Sequence, residues 1–124
     1  MSNFSDLIGI PFEYGGRDVE ESLDCYGLIL HIENCINGKD LPDFGSSSDG
    51  GRVVAMMSGA LHLFEPVEAR EGAILLFRVP GYMHVGYCLE DDRFIHTWEE
   101  SGGVTIERLS GWERRMIGAY KYVG

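Results

Sequence analysis

Three cysteines and four histidines are the side chains here whose types could do nucleophilic or acid–base chemistry near neutral pH. Cys25 stands apart by its setting. It lies in "DCYGL", at the start of an amphipathic helix expected over residues 25–36, with apolar or small residues at Cys25, Leu28, Ile29, Ile32, Cys35 and Ile36. A helix start concentrates unpaired backbone N–H groups and the positive end of the helix dipole. A thiol there ionises more readily, commonly from a pKa of about 8.5 down to about 3.5–7.5, and a nearby oxyanion finds donors in place. A free cysteine is equally a small buried hydrophobe, so the nucleophilic reading needs a base. Two strand-like runs offer one: "MHVGYCL" carries His84 and "RFIHTW" carries His96. If they form a hairpin whose loop is residues 90–92, Leu89 faces Arg93, His84 lies opposite Trp98 and His96 opposite Gly86. Both imidazoles then share one face as diagonal neighbours about 7–8 Å apart along the backbone, with Gly86 leaving room for the second ring. A two-residue loop would place them on opposite faces.

The elements that must position these residues divide the chain by texture. Ser22 or Asp24 can cap the first helix, and Asn37-Gly38 can end it in a left-handed turn. "DLPDFGSSSDGG" reads as loop, and a second helical pattern runs over residues 52–64, closed by Pro66. From Gly72 onward come five short β-type runs, "AILLFRV", "HVGYCL", "RFIHTW", "GVTIERL" and "MIGAYKYV", joined by short connections that favour an antiparallel meander. The expected architecture is α+β: helices in the N-terminal half packed on an antiparallel sheet of about five strands, in a single domain spanning residues 1–124.

With these elements in order, "GIPFEYGGR", "DCYGL", "EGAILLF", "HVGYCLEDDRFIH" and "GVTIERL" resemble the NlpC/P60 family of papain-like cell-wall cysteine peptidases over nearly the whole chain. The resemblance implies that Cys25 is the nucleophile, His84 the general base and His96 the residue that orients it. It implies hydrolysis of peptidoglycan stem peptides, at the bond between γ-D-glutamate and the following diamino acid, with no cofactor. Asp24, Tyr14 and Tyr26 are the substrate-binding candidates. For Asp24, capping the helix and binding the free amine of a stem peptide carry equal weight. The sequence departs from the family pattern at Phe12 and Tyr26, where many members have tyrosine and serine, and at Ala73, where aspartate is common. An aromatic after the nucleophile is similar to members encoded by phages, which implies tail proteins as partners and a virion tail as a location. The alternative is a structural tail-tip or tail-assembly protein with the same fold and little hydrolase activity.

Composition excludes several other classes. A net charge of −10 leaves no basic stripe for a nucleic acid. No apolar run approaches the roughly 18–20 residues of a membrane span, so membrane insertion is not expected. "MSNFSDLIGIPF" lacks the basic and apolar segments of a secretory signal, so synthesis in the bacterial cytoplasm without a signal peptide is the expectation. No close-spaced cysteine or histidine pattern suggests zinc. Cys35 and Cys88 are expected in the core, His31 on the solvated helix face, and Trp98 and Trp112 as core anchors, Trp98 walling the cleft in the register above.

Overall fold

A computed structural model describes residues 4–43, 61–80 and 82–124. A short 3-10 turn (Phe4–Leu7) leads into an extended strap, then a two-stranded ribbon of β1 (Arg17–Asp18) and β2 (Ser22–Leu23). Next come α1 (Cys25–Leu30), a π-helical continuation (His31–Ile36), and the main sheet: β3 (Phe64–Pro66), β4 (Ile74–Val79), β5 (Tyr82–Cys88), β6 (Arg93–His96), β7 (Thr105–Arg108) and β8 (Met116–Tyr122). The sheet is antiparallel in the order β3-β8-β4-β5-β6-β7. The α+β class therefore stands, with two corrections. The sheet has six strands, and β8 returns to pair with β4 instead of extending the meander at its far end. Much of the expected second helix, residues 52–60, falls outside the described residues. Its end does not: 61–63 form one 3-10 turn, and Phe64 and Pro66 belong to the edge strand β3, opposite Tyr122 and Tyr120.

The sheet is buried on both faces, which is why its runs read as almost continuously apolar. On one face α1 packs Leu28 and Ile29, and its π-helical continuation Ile32, against Ile74, Val85, Tyr87 and Ile95. On the other, Leu75, Phe77 and Phe94 meet Leu109 and Trp112, which come from a 3-10 segment, Leu109–Arg115.

The helical stretch spans the expected residues but changes winding at His31. From there the chain is π-helical, as in the Asn37 N–H to Ile32 carbonyl bond at 2.9 Å. The extra residue per turn rotates the buried stripe. Glu33 is carried inside, where its carboxylate takes a bond from Asn37 Nδ2 at 2.9 Å and faces Lys39 Nζ at 3.9 Å. Cys35 and Ile36 turn outward, so the expectation of a core Cys35 is overturned while Cys88 is buried as expected. His31 is half-buried.

Candidate active site

The helix start is built by Asp24. Its Oδ1 accepts from Gly27 N–H at 2.6 Å, the capping bond, and from Arg17 Nη1 at 2.6 Å. Its Oδ2 accepts from Gly15 N–H at 3.0 Å. Both carboxylate oxygens are thus engaged by the protein, which favours the capping reading of this residue. The glycines of the motif have steric reasons. A Cβ at Gly27 would collide with the Gly16 carbonyl, and one at Gly16 would lie 2.7 Å from the Ser22 backbone. The strap, β2 and the helix start are thereby locked together around Cys25.

The hairpin of β5 and β6 has the register that the three-residue loop requires. Tyr87 pairs with Ile95 and Cys88 with Phe94, and Leu89 N–H donates to the Arg93 carbonyl at 2.8 Å. Asp91 and Asp92 take the turn's left-handed conformation, both with φ of 61°. His84 and His96 consequently share a face, and His84 Nε2 lies 2.8 Å from His96 Nδ1. A Cβ on Gly86 would sit 3.0 Å from the Phe94 ring and 3.4 Å from His96 Cβ, so the space left by this glycine is used by the second imidazole and its neighbour.

Glu107, which the sequence did not single out, and Trp112, expected only as a core anchor, complete this network. His96 Nε2 lies 2.8 Å from Glu107 Oε2, and Glu107 Oε1 accepts from Trp112 Nε1–H at 3.0 Å. Phe77, Phe94, Trp98 and Trp112 enclose the imidazoles, with Trp112 edge-on to His96 at 4.9 Å between ring centres. Burial, reinforced by the neighbouring His96, holds the His84 pKa well below the ordinary 6.5. Burial also lowers His96, outweighing the pull of Glu107, so both rings are neutral and the His96–Glu107 contact is a hydrogen bond to a carboxylate. For Glu107, burial acts upward, but the bonds from Trp112 and His96 and the charge of Arg115 prevail and hold it below the usual carboxylate value.

Cys25, His84, Phe12, Tyr14, Asp24, Thr97 and Trp98 line one small cavity whose free space, about 10 Å3, is roughly that of a single water. Burial pushes the Cys25 thiol up to about 12; backbone hydrogen bonds at Val85 and Tyr26 act the other way and do not offset it. The expected lowering of this pKa at the helix start is therefore not what this pocket provides: desolvation of the buried sulfur outweighs the helix terminus. Among the described residues, the buried side-chain nitrogen and oxygen atoms without a hydrogen-bond partner are His84 Nδ1 and Thr97 Oγ1, both from residues of this cavity. A thiol and an unpaired imidazole nitrogen enclosed together can exchange a proton when a substrate brings them into line.

Tyr14 stands at the rim, 38% exposed, and its hydroxyl donates to Glu99 Oε1 at 3.1 Å. Tyr26 does not reach the cleft. It is fully buried and its hydroxyl donates to the Pro42 carbonyl at 2.6 Å, because side chains at successive helical positions point in different directions and this one turns into the core. As a substrate-binding candidate it is withdrawn.

The signature of the NlpC/P60 family matches residues 9–121, which include Cys25, His84, His96 and Glu107. The chain belongs to the NlpC/P60 family. Among family relatives, murein DD-endopeptidase MepH of Escherichia coli (strain K12) is 26% identical over 124 residues, covering 96% of this chain and 43% of the relative. A probable endopeptidase of the same organism, YafL, is 25% identical over 117 residues, covering 90% of this chain and 44% of the relative. The chain thus spans less than half the length of these relatives. The crystal structure of the NlpC/P60 domain of the peptidoglycan hydrolase SagA superposes with a TM-score of 0.62 at 20% identity, covering 94% of this chain and 89% of that domain, a likeness of fold. With it the papain-like NlpC/P60 architecture is established for this chain.

Proposed function

We propose that this NlpC/P60 domain is a cysteine peptidase that hydrolyses peptide bonds of peptidoglycan. In this reading Cys25 attacks the scissile carbonyl, His84 takes the thiol proton and later gives it to the leaving amine, and His96 orients His84. The observation that carries it is the buried, unpartnered His84 Nδ1 in the cavity it shares with Cys25, behind which a hydrogen-bonded network runs to Glu107. The thiol rests protonated, so attack is coupled to proton transfer as substrate enters. The backbone N–H of Cys25 supplies an oxyanion donor, an effect typically worth about 2.7–4 kcal/mol. Asp24 and Arg17 hold the helix start, and Tyr14 meets substrate at the rim.

The bond following γ-D-glutamate is the one implied by the resemblance in motif order; likeness to MepH, a murein DD-endopeptidase, favours the D,D cross-link as a second reading. Delivery by a phage tail rests on the aromatic Tyr26 alone, and a purely structural tail role predicts no turnover. The test is digestion of purified, cross-linked muropeptides with product masses read by chromatography. Loss of a stem-peptide fragment beginning at the diamino acid supports the first bond, conversion of dimers to monomers supports the second, and an unchanged digest contradicts the hydrolase reading.

A further inference from the structure

The hydrogen-bonded series His84, His96, Glu107 and Trp112 has one proton order open to it while Glu107 is ionised and His96 is neutral. Trp112 Nε1 can only donate, and it donates to Glu107 Oε1 at 3.0 Å. An ionised carboxylate can only accept, so the 2.8 Å contact between Glu107 Oε2 and His96 Nε2 places a proton on that nitrogen. A neutral imidazole has one N–H, so His96 Nδ1 is an acceptor, and its 2.8 Å partner, His84 Nε2, must donate. His84 Nδ1 then carries a bare lone pair, and it is the ring nitrogen left without a partner beside Cys25.

We propose that Glu107, held by Trp112, is a positioning residue that fixes the tautomers of both imidazoles and so makes His84 Nδ1 the base that faces Cys25. The consequence for catalysis rests on the thiol-hydrolase reading; the tautomer order does not. In the reaction, the S–H bond of Cys25 breaks, its proton binds His84 Nδ1, and the sulfur forms its bond to the substrate carbonyl carbon. His84 becomes an imidazolium and keeps donating through Nε2–H to His96. His96 keeps its Nε2 proton, and Glu107 stays ionised, its negative charge favouring the imidazolium across two hydrogen bonds. When the intermediate collapses, the C–N bond breaks and the Nδ1 proton goes to the leaving amine.

The groups facing Glu107 suit this role. His96 reaches it from β6, and Trp112 comes from the 3-10 segment whose Arg115 guanidinium lies 4.4 Å over the Trp112 ring. That segment is tied to the β5–β6 turn, where Asp92 accepts from Leu109 N–H at 2.8 Å and Ser110 N–H at 3.0 Å. Glutamine cannot replace glutamate here without consequence. Its single oxygen would face the obligate donor of Trp112, leaving its NH2 toward His96 Nε2. His96 would have to protonate at Nδ1, donate to His84 Nε2, and drive the His84 proton onto Nδ1, removing the base.

The experiment is long-range 1H–15N correlation of the histidine rings in the native chain, in Glu107→Gln and in Glu107→Gln/Trp112→Phe, with kcat measured on muropeptides. In the native chain His84 and His96 are expected protonated at Nε2. Glu107→Gln is expected to move both protons to Nδ1 and to lower kcat by roughly 10²–10⁴. Removing the Trp112 donor as well frees the amide oxygen for His96 Nε2–H, restoring the native tautomers and part of kcat, which a merely structural role for Glu107 would not do. A native His84 protonated at Nδ1, or tautomers indifferent to Glu107→Gln, overturns the proposal. Expected tautomers with no hydrolysis by the native chain uphold the proton order and sink the hydrolase reading instead.

Discussion

Replacing Asp24 by alanine separates the two roles its position allows, because only the capping role predicts a loss of stability. The side chains of Asp24 and Arg17 are 7% and 22% exposed and joined at 2.6 Å, and the same carboxylate receives the N–H groups of Gly27 and Gly15. Removing one partner of a buried pair costs about 3–5 kcal/mol. Loss of a helix cap adds about 1 kcal/mol. Arg17 retains Asp43, at 3.1 Å through its Nε, but that partner is half exposed and offsets only part of the loss, since exposed pairs contribute about 0–1 kcal/mol. The net expectation for Asp24→Ala is about 3–5 kcal/mol, a large share of the roughly 5–15 kcal/mol that holds a domain folded. Asp24→Asn keeps one oxygen for the Gly27 N–H but loses the charge facing Arg17, so about 2–3 kcal/mol is expected, hydrogen bonds to charged groups being worth about 1.5–3. Urea unfolding followed by the fluorescence of Trp98 and Trp112 measures both. A residue acting only as an amine contact would leave the urea midpoint unmoved and raise KM. An Asp24→Ala variant within about 0.5 kcal/mol of the native chain, in the range of ordinary surface substitutions, would refute the structural reasoning.

Other expectations follow from burial and titration. With a small alkylating reagent at neutral pH and no substrate, exposed Cys35 should be modified before buried Cys25 and Cys88, and peptide mapping that finds Cys25 first would contradict a protonated resting thiol. Stability should fall as pH drops below about 6.5, because unfolded His84 takes up a proton that the folded chain refuses; depressed Glu107 adds a loss in the same direction at lower pH. At the alkaline end the sign reverses for Cys25. Its raised folded pKa means that stability is lost from the ordinary thiol range upward toward about 12, and urea midpoints across pH should show both limbs. Thr97→Val removes a buried hydroxyl that has no partner, so stability should be unchanged or raised by up to about 1 kcal/mol; thermal unfolding showing a loss above that would mean the hydroxyl is satisfied in solution.

The histidine pair was legible in part, because period-two alternation within each strand is local; the loop length that puts both rings on one face had to be assumed, since a two-residue loop would separate them. "DCYGL" was legible for a similar reason, since cap, helix start and close-packed glycine fall within five consecutive residues. Glu107 was not. It enters the site through the pairing of β7 with β6, where Phe94 meets Glu107 and His96 meets Thr105, across the connection 97–104, whose length leaves the register open. The available signal was a polar residue alternating with Ile106 on the histidine face, which is what an ordinary solvent-facing strand residue also looks like. Trp112 lies in a 3-10 segment too short to show periodicity, and β3, of three residues, is too short to show alternation. The outward turn of Cys35 is hidden because a 3.6-residue period does not describe a stretch that winds as a π-helix.

Hydrolysis of purified peptidoglycan by the native chain, Cys25→Ala and His84→Ala, each checked for folding by its urea midpoint, tests the central claim most directly. Release of new amino termini by the native chain, reduced at least about 10²-fold in both variants, is the expected result. Equal release by a folded Cys25→Ala variant, or none by the native chain, would contradict a cysteine peptidase built on Cys25 and His84.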